Sequence, residues 1–268
     1  MDDTNETLVP ADEWGRTAVI VGHPGHELTV YHWIECHQPL YFCLTDGSGG
    51  AAQSRLASTD HVLQELGVGH GPIFGRYPDK DLYRLLLDGR VEVFVSLVRE
   101  LAEALIDANV ETVSGDAVEG FNPVHDVCRF VIDGAVARVR NQTGRVIRND
   151  DFVLDSQPDA CPELFRHDAK WLNLSDTALD RKIAAALAYP ELNDEVTKAL
   201  ARFGRSAFAR ECLRPVTTHR MIEQFKSEIP AYERYGQMRV DEGRYREIIR
   251  YRDHVWPVIA AIEELNRR

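Results

Sequence analysis

Two histidines stand three residues apart in a turn that directly follows a short apolar segment. The segment 18–21 reads Ala-Val-Ile-Val and the turn 22–27 reads Gly-His-Pro-Gly-His-Glu, which places His23 and His26 at the end of a predicted strand. Neutral imidazole is the commonest protein ligand for zinc, and a catalytic zinc site typically uses three protein ligands. The spacing therefore predicts two ligands of one metal ion, although an isolated pair of this kind also occurs at helix starts and in polar crevices.

A third histidine follows a second predicted strand. The apolar residues 110–113 indicate this strand, and after a loop Pro123 opens a helix that contains His125. In an open parallel sheet, ligands bind at the carboxyl ends of the strands, so His125 is expected at the same edge as His23 and His26. We predict that these three imidazoles bind one zinc ion.

Strands and helices alternate along the first part of the chain. Such alternation is typical of a parallel sheet with helices on both faces, so we predict an α/β fold with a Rossmann-like, mostly parallel sheet and a helical C-terminal extension. Predicted strands are Thr17–Val21, Leu40–Leu44, Val110–Val113 and Phe152–Leu154, and predicted helices begin near Glu27, Arg55, Asp79, Val91 and Pro123. The short apolar stretch at 72–74 is not assigned to a strand.

The chain divides into three parts by composition and periodicity. Residues 1–13 are polar and acidic, which predicts a mobile N-terminal tail. Residues 14–176 form the predicted α/β domain with the metal site. Residues 177–268 carry helical periodicity, and we expect them to pack on the same domain as an extension.

Charge and cysteine content narrow the choice of partner and compartment. A formal net charge of -12 argues against a nucleic-acid partner, which would be bound mainly through Lys and Arg. The five cysteines form no Cys-x-x-Cys pair, and reduced thiols are the simplest account of their odd number. No apolar run reaches membrane-spanning length and no secretory signal opens the sequence, so we expect a cytoplasmic protein. A homo-oligomer is compatible with the sequence.

The histidine motifs resemble those of the PIG-L/LmbE-like family of zinc-dependent N-deacetylases. That family carries Ala-His-Pro-Asp-Asp-Glu after its first strand, a Thr-x-Gly loop after the second, and a later His-Pro-Asp-His segment. The similar segments here are Gly-His-Pro-Gly-His-Glu at 22–27, Thr-Asp-Gly at 45–47, Pro-Asp at 78–79 and Asn-Pro-Val-His at 122–125. The resemblance covers residues 17 to 140, with a looser likeness around 182 to 211.

The resemblance implies a metal held by His23, His26 and His125, where the family uses two histidines and one aspartate. An imidazole in place of the carboxylate still suits zinc. The position of the family's general base is Gly25, which has no side chain, so the base must be replaced or missing. Asn122 stands where the family has a histidine that stabilises the oxyanion, and its amide can donate the same hydrogen bond.

Nearby carboxylates are candidates for the missing base. We expect Asp116 or Glu119 to accept the proton of the attacking water. Asp46 and Glu27 are further candidates. The resemblance also implies that Arg55 contacts a hydroxylated substrate, and we place Asp46 in the substrate site beside it.

The leading hypothesis from the sequence is a zinc-dependent N-deacetylase that acts on an N-acetylated amino sugar or a related glycan or natural-product intermediate. Zinc would polarise the amide carbonyl and lower the pKa of a bound water, whose attack would release acetate. Two alternatives stay open. One is hydrolysis of a different bond, such as an ester, at the same metal site. The other is a non-catalytic module, derived from the deacetylase fold, that binds a carbohydrate or a partner.

Overall fold

A seven-stranded, mostly parallel sheet forms the centre of the computed structural model, which describes residues 14–49, 53–157, 159–216 and 218–267. The strands are β1 Thr17–Val21, β2 Leu40–Thr45, β3 His70–Tyr77, β4 Thr112–Asp116, β5 Arg148–Phe152, β6 Lys170–Asn173 and β7 Arg210–Pro215. Their order across the sheet is β3-β2-β1-β4-β5-β7-β6. Strands β1 to β5 pair in parallel, whereas β7 is antiparallel to both β5 and β6. The predicted tail at 1–13 lies outside the described residues.

Ten helices flank this sheet in the described part of the chain. They are α1 Tyr31–His37, α2 Leu56–Glu65, α3 Asp79–Leu87, α4 Val91–Asp107, α5 Pro123–Thr143, α6 Asp176–Ala188, α7 Asn193–Phe203, α8 Thr218–Phe225, α9 Ala231–Asp241 and α10 Trp256–Arg267. The predicted α/β fold with a Rossmann-like sheet is confirmed. No helix in the described ranges is long and apolar enough to cross a lipid bilayer.

The strand β1 shows how the sheet divides the core into two layers. Successive strand side chains point to opposite faces, so Ala18 and Ile20 pack in one apolar cluster, with side chains of α4, α5 and α10. Val19 and Val21 pack in the other cluster, with side chains of α1 and α2. Because both faces are covered, the strand is uniformly apolar and buried, and its bounds were predictable from sequence.

Three strands were not predicted because their sequences are polar or irregular. The strand β7, with the sequence Arg-Glu-Cys-Leu-Arg-Pro, interrupts the region that we predicted to be helical and inserts between β5 and β6. Its charged residues are buried in ion pairs: Glu211 lies 2.8 Å from Lys182, and Arg214 lies 2.7 Å from Asp151. The strands β3 and β6 were also unassigned. The division at residues 176 and 177 stays a prediction.

Two predicted strands are displaced along the chain. The strand β4 spans Thr112–Asp116 rather than 110–113, so Asp116 ends a buried strand instead of lying in a loop. The strand β5 spans Arg148–Phe152 rather than 152–154. Its sequence Arg-Asn-Asp-Asp-Phe lacks an apolar pattern because buried arginines pair its carboxylates, among them Arg214 with Asp151.

Candidate functional site

The structure brings the three predicted histidines together at the carboxyl edge of the sheet. His23 follows β1, His26 begins a short 3-10 turn, and His125 lies in the first turn of α5. The ring centroids of His26 and His125 are 4.5 Å apart, those of His23 and His125 4.9 Å, and those of His23 and His26 5.3 Å. They converge because β1 and β4 are adjacent parallel strands, and the chain leaves both at the same edge.

Two buried carboxylates orient two of the imidazoles. The Nδ1 atom of His23 lies 2.9 Å from Asp79 Oδ1 and 2.8 Å from Thr45 Oγ1. The Thr45 hydroxyl donates its own proton to the Gly22 carbonyl, so Nδ1 of His23 must carry the proton that these oxygens accept. The Nδ1 atom of His26 similarly lies 2.9 Å and 3.0 Å from the two oxygens of Asp116.

Burial favours the neutral form of two imidazoles in this cluster, those of His23 and His125. Burial lowers the pKa of His23. Burial, and then the charges of His26 and His23, hold the pKa of His125 well below its usual 6.5. Burial opposes ionisation of Asp79, but hydrogen bonds from His23 and from the Gly49 amide prevail and lower its pKa to about 2. With protons on Nδ1 of His23 and His26, their Nε2 atoms carry free lone pairs.

The donor set fits a divalent metal such as zinc. The Nε2 atom of His23 is buried and has no hydrogen-bond partner among the described residues, a state that costs free energy unless a ligand satisfies it. Rings bound to one zinc at about 2.0–2.1 Å would have centroids roughly 5 Å apart, close to the spacing here. Within the described residues, however, no group of three or more His, Cys, Asp or Glu side chains already has a metal-binding arrangement.

The two predicted bases have other partners. Asp116 Oδ2 accepts a hydrogen bond from the Gly22 amide at 2.8 Å in addition to its contacts with His26. Glu119 accepts hydrogen bonds from the amides of Leu154 and Asp155, and burial raises the pKa of its carboxyl group. The first carboxylate therefore positions an imidazole. The second fixes the chain after β5 and is not among the described residues that line the pocket.

Asn122 is placed to donate a hydrogen bond into the pocket. Its Oδ1 accepts from the Val124 amide at 2.8 Å, which caps α5, and from the Tyr83 hydroxyl at 2.9 Å. Because a backbone N–H can only donate, Oδ1 must face the helix. The Nδ2 atom is thus the one left for a ligand, and Asn122 lines the pocket beside His125.

Of the two predicted substrate contacts, only Arg55 lines the pocket. Its amide donates to the Asp46 carbonyl at 2.8 Å, which ties it to the glycine loop. Asp46 Oδ1 accepts from the amides of Ser48 and Asp79 at 2.9 Å and 3.1 Å. Asp46 therefore stabilises its own loop and positions Asp79, which in turn orients His23.

The turn between the two histidines leaves no room for a side chain. Gly25 has a φ of 102°, and a Cβ there would lie 2.3 Å from Leu192 Cδ1. The fully buried carboxylate of Glu27 fixes this turn by accepting from the Gly25 amide at 2.8 Å and from the hydroxyls of Tyr41 and Thr59 at 2.8 Å and 2.7 Å. The position that resembles the family's base is occupied by apolar atoms of Leu192.

Sequence reasoning did not assign roles to Asp79, Thr45 and Tyr83. Asp79 was noticed only as part of a Pro-Asp pair. Asp79 follows the segment 70–77, which we did not predict to be a strand. Recognition of that strand would have placed Asp79 at the edge of the sheet where ligands bind.

The histidine cluster opens into a pocket of about 1070 Å³. Polar residues border the imidazoles, including Arg55, Asp79 and Asn122. Apolar residues from α6 and α7 form another part of its surface. A volume of this size is at the upper end of small-molecule sites.

The fold is similar to those of solved deacetylases. No family model matches the chain, and no curated protein matches it. The zinc-inhibited form of teicoplanin deacetylase Orf2 is 16% identical over 75% of this chain and 97% of its own, with a TM-score of 0.51. A deacetylase-bog complex from the teicoplanin biosynthesis pathway is 17% identical over the same shares, with a TM-score of 0.51. The conserved protein TT1542 from Thermus thermophilus is 18% identical over 74% of this chain and 92% of its own, with a TM-score of 0.50.

Proposed function

We propose that this protein is a metal-dependent hydrolase of the deacetylase type, related to the PIG-L/LmbE-like enzymes. Its substrate is an N-acetylated amino sugar or a related glycan or natural-product intermediate. The observation that carries the proposal is the convergence of three imidazoles, two of them oriented by buried carboxylates, in the lining of a large pocket. The similarity of fold to solved deacetylases supports it.

His23, His26 and His125 would hold the metal, with zinc favoured by the nitrogen ligands. When bound, such an ion acts as a Lewis acid on a carbonyl and lowers the pKa of water. Asp79 and Asp116 keep protons on the Nδ1 atoms of His23 and His26, which fixes the tautomer and ring orientation that a metal requires.

The other polar residues bind the substrate. Asn122 Nδ2 donates to the amide carbonyl oxygen, where negative charge develops during attack. Arg55 binds hydroxyl groups of the substrate. Asp116 and Glu119 stay the predicted proton acceptors, and both already accept hydrogen bonds from backbone amides.

The proposal is tested by metal content and turnover in the same samples. We expect untreated wild-type protein to contain zinc in stoichiometric amount by elemental analysis, and His125→Ala to lose it. His61→Ala, whose side chain is 70% exposed, is the matched control and should keep the metal. Amine release from a panel of N-acetylated amino sugars should depend on the metal. Wild-type protein without metal and without any metal-dependent turnover would refute the proposal.

Both predicted bases already accept hydrogen bonds, and this favours two other functions, which the same panel separates. A side chain at position 25 would clash with Leu192 and strain the backbone, and this favours a binding module without catalysis. Tight binding of a sugar with no turnover of amides or esters would support that function. Esters belong in the panel because an alkoxide leaves with less help from a general acid than an amine does. Turnover of esters alone would indicate the second enzymatic alternative.

A further inference from the structure

One side of the pocket is formed by apolar side chains of α6 and α7. These side chains, which we call the apolar wall, are Ile183, Ala186, Val196, Ala199 and Leu200. All five are half-buried, and no residue of α7, which is described throughout, is fully buried. An amphipathic helix is normally stabilised by burying its apolar stripe. In α7 that stripe faces the open pocket instead.

The apolar wall begins directly beside the imidazoles. Leu192, between α6 and α7, packs against Gly25 so closely that a Cβ there would clash with it. Gly25 lies between His23 and His26 in the chain. A group bound at the imidazoles therefore lies next to α6 and α7, whose pocket-lining side chains are apolar apart from Lys182 and Glu195.

Polar side chains border the same imidazoles from the other face of the sheet. Lys80 and Tyr83 of α3 line the pocket together with Asn122, to which the Tyr83 hydroxyl donates. Tyr83 packs against the apolar cluster on one face of the sheet, whereas Ala186 and Val196 pack against the cluster on the opposite face. The histidine cluster thus has Lys80, Tyr83 and Asn122 on one side and the apolar wall on the other, while apolar side chains such as Phe121 and Ile248 line the pocket farther along.

Among the related glycan and natural-product intermediates that the proposed function admits, we propose an N-acyl amino sugar whose acyl chain is longer than acetyl and lies along the apolar wall. This inference rests on the proposed function, because it assumes that the amide lies at the imidazoles. An amide of this kind joins a polar ring to a hydrocarbon chain, which matches the polarity on the two sides of the cluster. An acetyl group would leave the apolar wall uncovered in a pocket of about 1070 Å³.

The test is a series of binding measurements by calorimetry on the metal-free and the zinc-loaded protein. The ligands are glucosamines with N-acetyl, N-hexanoyl and N-decanoyl groups. We expect affinity to rise by up to about fourfold for each methylene that the wall covers, in both forms of the protein. N-Acetylglucosamine glycosides with hexyl and decyl groups at the anomeric carbon form the comparison series.

Two variants test whether the gain in affinity comes from the apolar wall or from other apolar contacts. Leu200→Gln should reduce the gain with chain length while leaving affinity for N-acetylglucosamine unchanged, and the isosteric Val196→Thr should reduce it less. Leu187→Gln is the matched control, because Leu187 is exposed on α6 and outside the pocket lining. Unchanged thermal unfolding of the variants shows that they fold.

Equal affinity across the N-acyl series would overturn the inference, as would a gain confined to the alkyl glycosides. A chain-length gain that Leu200→Gln leaves intact would also overturn it. Failure of the proposed function has a different signature: the protein would show the N-acyl preference in binding but neither metal content nor turnover.

Discussion

The protons on Nδ1 of His23 and His26 decide what the histidine cluster can do. A carboxylate faces each of these atoms, so in the neutral imidazole the proton stays on Nδ1 and Nε2 keeps its lone pair. A neutral histidine without such a partner can take either tautomer, and in one of them Nε2 carries the proton and cannot bind a metal. The chemistry of the site therefore depends on Asp79 and Asp116 as much as on the imidazoles.

Asp116→Asn should weaken zinc binding by about 10- to 100-fold, because the amide keeps the volume but loses the charge that stabilises the Nδ1 proton of His26. Competition with a chromophoric chelator measures the affinity. Asp107→Asn, at the end of α4, is the control and should bind zinc like the wild type. Equal zinc affinity of Asp116→Asn and Asp107→Asn would show that the Asp116 carboxylate does not support His26 as a metal ligand.

Asp126, unlike Asp79 and Asp116, is a buried carboxylate with no hydrogen bond to an imidazole in the described part of the chain and too few hydrogen-bond donors to offset its loss of hydration. Its Oδ1 accepts from the amides of Glu119 and Gly120, but Oδ2 has no partner among the described residues. Burial raises its pKa from 3.8 to about 7. The folded state then binds more protons than the unfolded state between these values, so the contribution of Asp126 to stability is lost as the pH rises from about 4 through 7.

Asp126→Asn should therefore stabilise the metal-free protein at pH 8, by an amount on the order of 3 kcal/mol, and have little effect at pH 4. Urea unfolding at pH 4, 6 and 8 measures the free energy of unfolding. An Asn can keep the two backbone hydrogen bonds through its Oδ1. A loss of stability of equal size at all three values would contradict the raised pKa.

At the scale of elements, the turn after β1 is shaped by its contact with the segment between α6 and α7. Gly25 adopts a left-handed conformation at φ 102°, and Leu192 occupies the space above it. The turn thus holds two imidazoles at the pocket and excludes a third functional group between them.

Gly25→Ala should destabilise the protein by about 3 kcal/mol, since a left-handed conformation costs about 1–2 kcal/mol and overpacking adds a similar amount. In a Leu192→Ala background the overpacking is relieved, and the same change should cost only about 1–2 kcal/mol. A double-mutant cycle of unfolding free energies measures this coupling. Additive effects would show that the two residues are not in the contact described.

At the scale of the whole molecule, the site depends on three loops that leave parallel strands at one edge. The chain after β1 supplies His23 and His26, the chain after β3 supplies Asp79, and the chain after β4 supplies His125. Because these segments are far apart in sequence, a metal bound there would connect parts of the chain that only the folded state brings together.

Zinc should raise the melting temperature of the metal-free protein. A ligand at about a hundred times its Kd stabilises the native state by about 2.7 kcal/mol, which for a domain of this size is a shift of roughly 5 °C. Differential scanning fluorimetry with zinc, with magnesium and with zinc plus chelator measures it. Magnesium, which prefers oxygen ligands, should have no effect. A zinc shift of the same size in His125→Ala would place the ion elsewhere.

The elements that could be predicted from the sequence are those whose apolar residues recur with the period of a strand or a helix. The bounds of β1 and the first residue of α4 follow from side chains that pack on the core. The strands β5 and β7 were displaced or missed because ion pairs such as Arg214 with Asp151 replace apolar contacts inside the sheet. Such pairing joins distant residues and leaves no local pattern.

By itself, the sequence determined which imidazoles are available and, through the strand and turn before each, the edge of the sheet to which they belong. The tertiary structure decided what surrounds them. The contacts of His23 with Asp79 and of His26 with Asp116 join residues 56 and 90 positions apart. Both Asp116 and Glu119 precede α5 in the chain, yet one reaches an imidazole and the other the amides after β5. The physical reason is that each carboxylate takes the donors that the packed strands and loops place around it.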